Sequence, residues 1–170
     1  VLWQLLLVGI FLAADLMLWA WSLTQTSVAN ATVLANFTPL FTSLGGWLFW
    51  GKRFDRRFVI GMSIAICGSI ALGINDLQLA PGKLTGDITA LLAALCFGIY
   101  LLLLEQLQTR LNTIAIMLGS SAIATLLTLP FVLIAGERLF PYTWQGWLSV
   151  IFLAIICQVV GQGLLVYSLN

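Results

Sequence analysis

One carboxylate, Asp15, sits in the middle of an otherwise apolar stretch running from Leu2 to Leu23. A charged side chain at that depth in hydrocarbon costs about 2.5–3.5 kcal/mol on insertion scales, so it is expected to face a partner or a wet cavity. There it can meet a substrate amine, or take up and release a proton during a cycle; a structural acid bonded to a neighbouring helix is the alternative. At about 100° per residue, Trp19 and Ser22 share its face and give the site an aromatic wall. In the next apolar stretch Thr32, Asn36, Pro39 and Ser43 follow a spacing of i, i+4, i+7 and i+11, a polar stripe confined to about 60° of arc. Pro39 has no N–H for the Ala35 carbonyl, which is left to accept from water, a side chain or a ligand, and the helix is expected to kink there. Interrupted helices mark many transport sites. Thr and Asn can also simply join helices, through hydrogen bonds averaging about 0.6 kcal/mol.

Gln158 and Gln162, one turn apart beside Gly161, offer two uncharged amides to a polar or zwitterionic solute, or to an adjacent helix. Thr89, Ala93, Cys96 and Tyr100 line one face of a further helix; packing is the expected role, with Tyr100 as its cavity residue. Other chemistries find little material. The chain has no histidine, so the commonest metal ligand and neutral-pH base is missing. Cys67, Cys96 and Cys157 stand alone in apolar runs without CxxC spacing and are read as small hydrophobes. No metal, cofactor or catalytic residue is expected. A net charge of +1, with no basic and aromatic patch, excludes the footprint of a nucleic-acid binder.

The elements that position these residues follow from composition. Of the 170 residues 61% are hydrophobic and 8% charged, with mean hydropathy +1.08. Soluble domains carry about 25% charged residues, so the solvent here is mostly lipid. A bilayer core of about 30 Å takes roughly 20 apolar residues per helix. Six such runs occur, from Leu2 to Leu23, Val28 to Trp50, Phe58 to Ile74, Gly86 to Leu104, Thr113 to Ala135 and Gln145 to Leu169. Their lengths suit helices rather than barrel strands. The loop Lys52 to Arg57 holds four of the seven basic residues and is therefore placed in the cytoplasm. By alternation the segment Gln106 to Asn112 also lies inside. Thr24 to Ser27, Asn75 to Thr85 and Gly136 to Thr143 lie outside. Trp3, Trp47 and Trp50 then fall near the inner interface and Trp21, Tyr142, Trp144 and Trp147 near the outer one, as headgroup anchors. Glu105 and Arg110 snorkel from the inner end of the fourth run. Gly45, Gly46, Gly61, Gly68, Gly119, Gly161 and Gly163 suit close helix packing.

Trp21-Ser22-Leu23 and Tyr167-Ser168-Leu169 form a faint echo across five runs. An odd separation is how an inverted-topology repeat shows itself. The chain opens on Val1 with neither an initiator Met nor a basic leader and ends at Asn170 inside an apolar segment, so a fragment of a longer polytopic protein is expected.

Three stretches carry a resemblance to a known family. They are Ser27-Val28-Ala29-Asn30 leading to Pro39-Leu40-Phe41-Thr42, then Gly51-Lys52-Arg53-Phe54 leading to Ile60-Gly61 and Cys67-Gly68-Ser69, and the run from Gly86-Asp87-Ile88 to Tyr100. Together they resemble the EamA family of the drug/metabolite transporter superfamily over nearly the whole chain. Gly51-Lys52-Arg53 departs from the family's usual Gly-Glu-Arg, while Gly136-Glu137-Arg138 follows a different helix and is read as coincidence. The resemblance implies an all-α integral membrane protein whose six visible transmembrane helices are part of a ten-helix inverted-repeat bundle. Residues 1–75 would be the last three helices of the first repeat, 76–85 an outside linker, and 86–170 the first three helices of the second. The implied function is that of a secondary carrier of small metabolites such as amino acids or drugs, an exporter in the favoured direction with import as the alternative, resident in the inner (plasma) membrane and working by alternating access. Asp15, Thr32, Asn36, Gln158 and Gln162 would supply polar contacts to the solute, Trp19 and Tyr100 walls, and Pro39 a flexible point. The expected partners are the solute and the lipid bilayer, with a homodimer left open. An integral-membrane enzyme or assembly factor is the competing class, disfavoured because such enzymes bring several acids, histidines or arginines together and here the acid is isolated.

Overall fold

The computed structural model describes residues 1–52, 55–73, 84–136 and 141–164, with the side chains of residues 72, 73 and 162 outside that description. Every described element is helical. The order is α1 (Leu2–Gln25), α2 (Val28–Ala35), α3 (Thr38–Trp50), α4 (Arg56–Gly73), α5 (Leu84–Gln108), α6 (Thr113–Ile134) and α7 (Trp144–Phe152), the last running on as a π-helical segment, Leu153–Gln162. No strand occurs among the described residues. Among the described residues, four stretches are long and apolar enough to cross a membrane: Leu2–Gln25, Leu84–Gln108, Thr113–Ile134 and Trp144–Gly161. Leu, Ile, Val, Ala and Phe dominate them, and backbone N–H and C=O groups in lipid are satisfied when each turn bonds the next.

The expected second span, Val28 to Trp50, is not one helix. It is delivered as α2 and α3, separated by a turn at Asn36 and Phe37. Ser27 caps the start of α2 by accepting the Asn30 N–H at 3.1 Å. At the other end the Asn36 N–H is shared between the Thr32 and Val33 carbonyls and the Phe37 N–H turns back to Leu34, which tightens the last turn into a 3₁₀ pattern. Pro39 then stands in the first turn of α3, where a missing N–H does no harm. The polar stripe read from spacing is divided by this break: Thr32, Asn36 and Pro39 are exposed, while Ser43 is buried and donates to the Pro39 carbonyl at 2.6 Å. At its far end α3 stops at Gly51, whose φ of 60° is left-handed, and the Lys52 N–H closes back on the Gly46 carbonyl at 3.1 Å.

The chain forms two compact units, Val1–Ala13 with Leu103–Asn170, and Ala14–Leu102. In the first, α1 and α6 pack through small residues. A Cβ on Gly9 would fall 2.5 Å from the Ile123 Cβ, so that position requires the bare backbone, and one on Gly119 would fall 2.8 Å from the end of the Leu5 side chain. Val8, Leu12, Leu104, Leu107 and Ile116 are buried here. In the second unit α2 packs against α4, and Ser43 of α3 faces the Met62 sulfur of α4 at 3.7 Å. The anchor residues Trp3, Trp21, Trp47, Trp50, Tyr142, Trp144 and Trp147 are all exposed. The expected linker 76–85 falls mostly outside the described residues, as do Arg53 and Phe54, residues 137–140 and the echo at Tyr167-Ser168-Leu169.

Candidate functional site

The second unit holds most of the candidate residues. Asp15 occupies the middle of α1, half-buried, on a helix with no other titratable side chain. No described side chain donates a hydrogen bond to it. Its carboxylate lies within electrostatic reach of two groups on α5, the Cys96 thiol and the Tyr100 hydroxyl. Tyr100 is 1% exposed and stacks on Phe97, with ring centroids 5.4 Å apart and planes at 17°. Trp19, one turn beyond Asp15, is half-buried. Its carbonyl accepts the Ser22 hydroxyl at 2.7 Å, and Ser22 itself is fully buried.

The broken helix meets α5 in the same unit. A Cβ on Gly98 would lie 3.2 Å from the Phe41 Cβ, 3.5 Å from the Thr42 N and 3.6 Å from the Thr38 carbonyl oxygen, so α5 passes hard against the first turn of α3. The carbonyl that Pro39 orphans is answered by a side chain: Thr38 Oγ1 donates to Ala35 at 2.7 Å. The same hydroxyl also lies 3.4 Å from the Ala94 carbonyl of α5. The interruption is thus tied to the helix that carries Cys96 and Tyr100. Nearby in sequence, Asn30 is 4% exposed and its Oδ1 is sealed from solvent without a hydrogen-bond donor. At one end of α5 the Asp87 carboxylate accepts the Thr26 hydroxyl at 2.7 Å, and Gly86 lies against the Thr26 backbone, where a Cβ would come within 2.8 Å of the Thr26 N.

Of the residues singled out by type and spacing, Asp15 and Tyr100 fall in the same unit, and the charge of Asp15 is felt at Tyr100 and at Cys96, which spacing had marked as packing. The structure places Thr32, Asn36 and Pro39 on exposed surface beside the break, with the Thr32 hydroxyl turned onto its own Val28 carbonyl at 2.7 Å. Gln158 belongs to the other unit and is exposed on the π-helical segment; the side chain of Gln162 lies outside the described residues. Thr38, Asn30 and Asp87 were missed. Thr38 had a readable signal, since a hydroxyl just before a proline is placed to serve the carbonyl the proline abandons. Asp87 had one too, an acid in the first turn of a helix.

The described residues form helices and turns, with four apolar helices long enough to cross a membrane, an acid midway along one of them and an interrupted helix, as in a multi-pass membrane protein. The EamA-like transporter family model matches residues 1–74 and 84–170, and the chain belongs to that family. It is 23% identical to the uncharacterized transporter YetK of Bacillus subtilis (strain 168) over 158 residues, 89% of this chain and 47% of that protein. It is 24% identical to the pseudopaline exporter CntI of Pseudomonas aeruginosa (strain UCBPP-PA14) over 159 residues, 94% of this chain and 54% of that protein. The chain spans about half the length of the curated relatives it matches. No solved structure matches it.

Proposed function

We propose that the chain is part of a secondary carrier that exports a small metabolite across the inner membrane by alternating access. The carrying observation is the family match over both stretches, joined to similarity with a protein named as an exporter. The site supports it. A half-buried acid beside a buried phenol, next to a helix break whose loose carbonyl is held by one hydroxyl, is suited to a solute that must be bound and then released. In this reading six spans are present, α2 and α3 together making the second and α4 the third, within a ten-helix pair of inverted repeats. Residues 1–75 close the first repeat, 76–85 link, and 86–170 open the second; the interval between the two matched stretches is in keeping with that division. Asp15, Thr32, Asn36, Gln158 and Gln162 are assigned as polar contacts to the solute and Trp19 and Tyr100 as walls, with Pro39 at the flexible point. Either a proton gradient or solute exchange drives the cycle, and a homodimer is compatible with the exposed apolar faces. A membrane enzyme is the competing reading, disfavoured because such enzymes bring several acids, histidines or arginines together, whereas in the sequence Asp15 is isolated and histidine is absent.

The test is flux. The full-length protein, reconstituted in vesicles loaded with a panel of amino acids and drugs, is expected to release at least one of them. Asp15→Asn should slow that release by at least about tenfold, the value of losing a hydrogen bond to a charged group. Absence of flux for every panel member in the wild type would overturn the carrier reading.

A further inference from the structure

We propose that the junction of α3 and α4 is a docking surface for an anionic phospholipid, its headgroup held by Arg56, Arg57 and Lys52 and its glycerol end framed by Trp47, Trp50 and Phe58. The occupant belongs to the surrounding membrane, so the proposal stands whatever solute the protein moves. Charge is unevenly spread along the chain. The connection from Lys52 to Arg57 holds four bases against one acid, which leaves three bases against five acids everywhere else. That one acid is already engaged, since the Asp55 carboxylate accepts the Arg56 N–H at 2.7 Å where α4 begins. Arg56 and Arg57 are both exposed, and neither guanidinium has an acidic partner among the described residues. Neighbours in the first turn of α4, they offer planar forks of donors that match phosphate oxygens.

Helix register sets these bases at headgroup level. Ser43 of α3 meets the Met62 sulfur of α4 at 3.7 Å. Trp47 lies four residues past Ser43 and Phe58 four before Met62, so at 1.5 Å per residue both rings stand about 6 Å along their helices from that contact. Both are exposed, as is Trp50 one turn further along α3. Arg57, Arg56 and Lys52 come after Phe58 and Trp47 in the same direction. Rings first and bases next is the order in which hydrocarbon gives way to the interface and then to phosphate. The left-handed turn at Gly51 ends α3 there and starts the connection at Lys52, beside the rings. The other connection assigned to the same side is built differently: Gln106 to Asn112 carries one base, Arg110, and no aromatic residue. Orientation during insertion counts bases alone. Exposed rings directly beneath the bases are what a lipid adds, because they pack on its glycerol and upper chains while the guanidinium groups reach its phosphate. A zwitterionic headgroup brings a cation of its own toward Arg56 and Arg57, so an anionic one is preferred.

Native mass spectrometry of the full-length protein, taken from an equimolar mixture of phosphatidylglycerol and phosphatidylcholine with matched chains, counts the lipids it retains. The wild type is expected to prefer phosphatidylglycerol on the order of a hundredfold, at about fivefold for each of Lys52, Arg56 and Arg57. Arg56→Gln combined with Arg57→Gln should leave about fivefold, and Arg110→Gln should leave the wild-type value. Equal retention of the two lipids, a preference that survives the double variant, or an equal loss in Arg110→Gln would overturn the proposal. Should the double variant insert inverted or fail to fold, Arg57→Gln alone, expected to lose about fivefold, decides. Glycerol 3-phosphate in millimolar excess offers a phosphate without chains and should displace no lipid. Displacement would assign the bases to a soluble phosphate and overturn the lipid. Solute flux without any lipid preference would overturn this surface and retain the carrier, whereas an arginine-dependent preference in a protein that moves no solute would do the reverse.

Discussion

Two prolines sit in two apolar stretches of this chain and have opposite consequences. Pro39 lies just past a turn that splits its stretch into α2 and α3, whereas Pro130 lies inside α6, which runs unbroken from Thr113 to Ile134. Both remove one backbone donor. Their surroundings differ. Ahead of Pro39 stand Asn36, a poor helix former that ends α2, and Thr38, whose hydroxyl takes over the Ala35 carbonyl. Ahead of Pro130 stands Leu129, with Leu126, Leu127 and Phe131 also exposed and apolar, and the nearest hydroxyl, Thr128, is spent on the Ala124 carbonyl at 2.9 Å. In lipid a helix without an alternative partner stays a helix, because opening further would orphan further groups. The proline supplies the vacancy, and the neighbouring side chains decide whether the chain breaks there.

The largest effect should come from filling the space where the break leans on α5. Gly98→Leu places side-chain bulk where a Cβ alone would already lie 3.2 Å from Phe41, and overpacking of that kind costs about 1–3 kcal/mol. Gly61→Leu on α4, where nothing lies within 4 Å, is the control and should change stability by less than about 0.5 kcal/mol. Thermal unfolding of the full-length protein in detergent reads both. Equal shifts for the two variants would show that the break does not depend on its contact with α5.

Next in size is the hydroxyl. Thr38→Val keeps the shape and removes the donor to Ala35, leaving a carbonyl with no partner at a cost of about 1–3 kcal/mol. The matched change in α6 is Thr128→Val. Its hydroxyl donates to the Ala124 carbonyl at 2.9 Å, but that carbonyl also receives the regular i→i−4 bond of the helix, so the loss should be under about 1 kcal/mol. The difference between the two midpoints measures what the orphaned carbonyl contributes. Equal losses would mean that Ala35 has another donor.

The uninterrupted stretches were readable because hydropathy alone defines them. Leu2 to Leu23 became Leu2–Gln25, and Thr113 to Ala135 became Thr113–Ile134. Asp15 was readable for the same reason in reverse, as the one acid against an apolar background. The split of Val28 to Trp50 was only half readable. Spacing indicated the missing donor at Pro39 and a bend, but whether a bend becomes a break depends on a contact with Gly98 and Ala94, about 60 residues away in sequence, that no local pattern carries. The π-helical pitch of Leu153–Gln162 has no local signature in its run of apolar residues, and it places Gln158 on different neighbours from those that a 3.6-residue period would choose.

The smallest expected change is also the sharpest test of the comparison. If neighbouring side chains hold the break, Pro39→Ala should leave it open: Thr38 already serves Ala35, Asn36 still ends α2, and Gly98 still admits the first turn of α3. Stability should move by less than about 1 kcal/mol. Spin labels at Thr32 and Leu44, both exposed, read the geometry directly. An unbroken helix would set their backbones about 18 Å apart along the axis, at 1.5 Å per residue. The single variant should keep the wild-type distance distribution. Thr38→Val combined with Pro39→Ala should move it toward the unbroken value, since the returned N–H becomes the one donor left for Ala35. A single Pro39→Ala that straightens the helix would assign the break to the proline alone, and Pro130 would then need a separate explanation for its continuous helix.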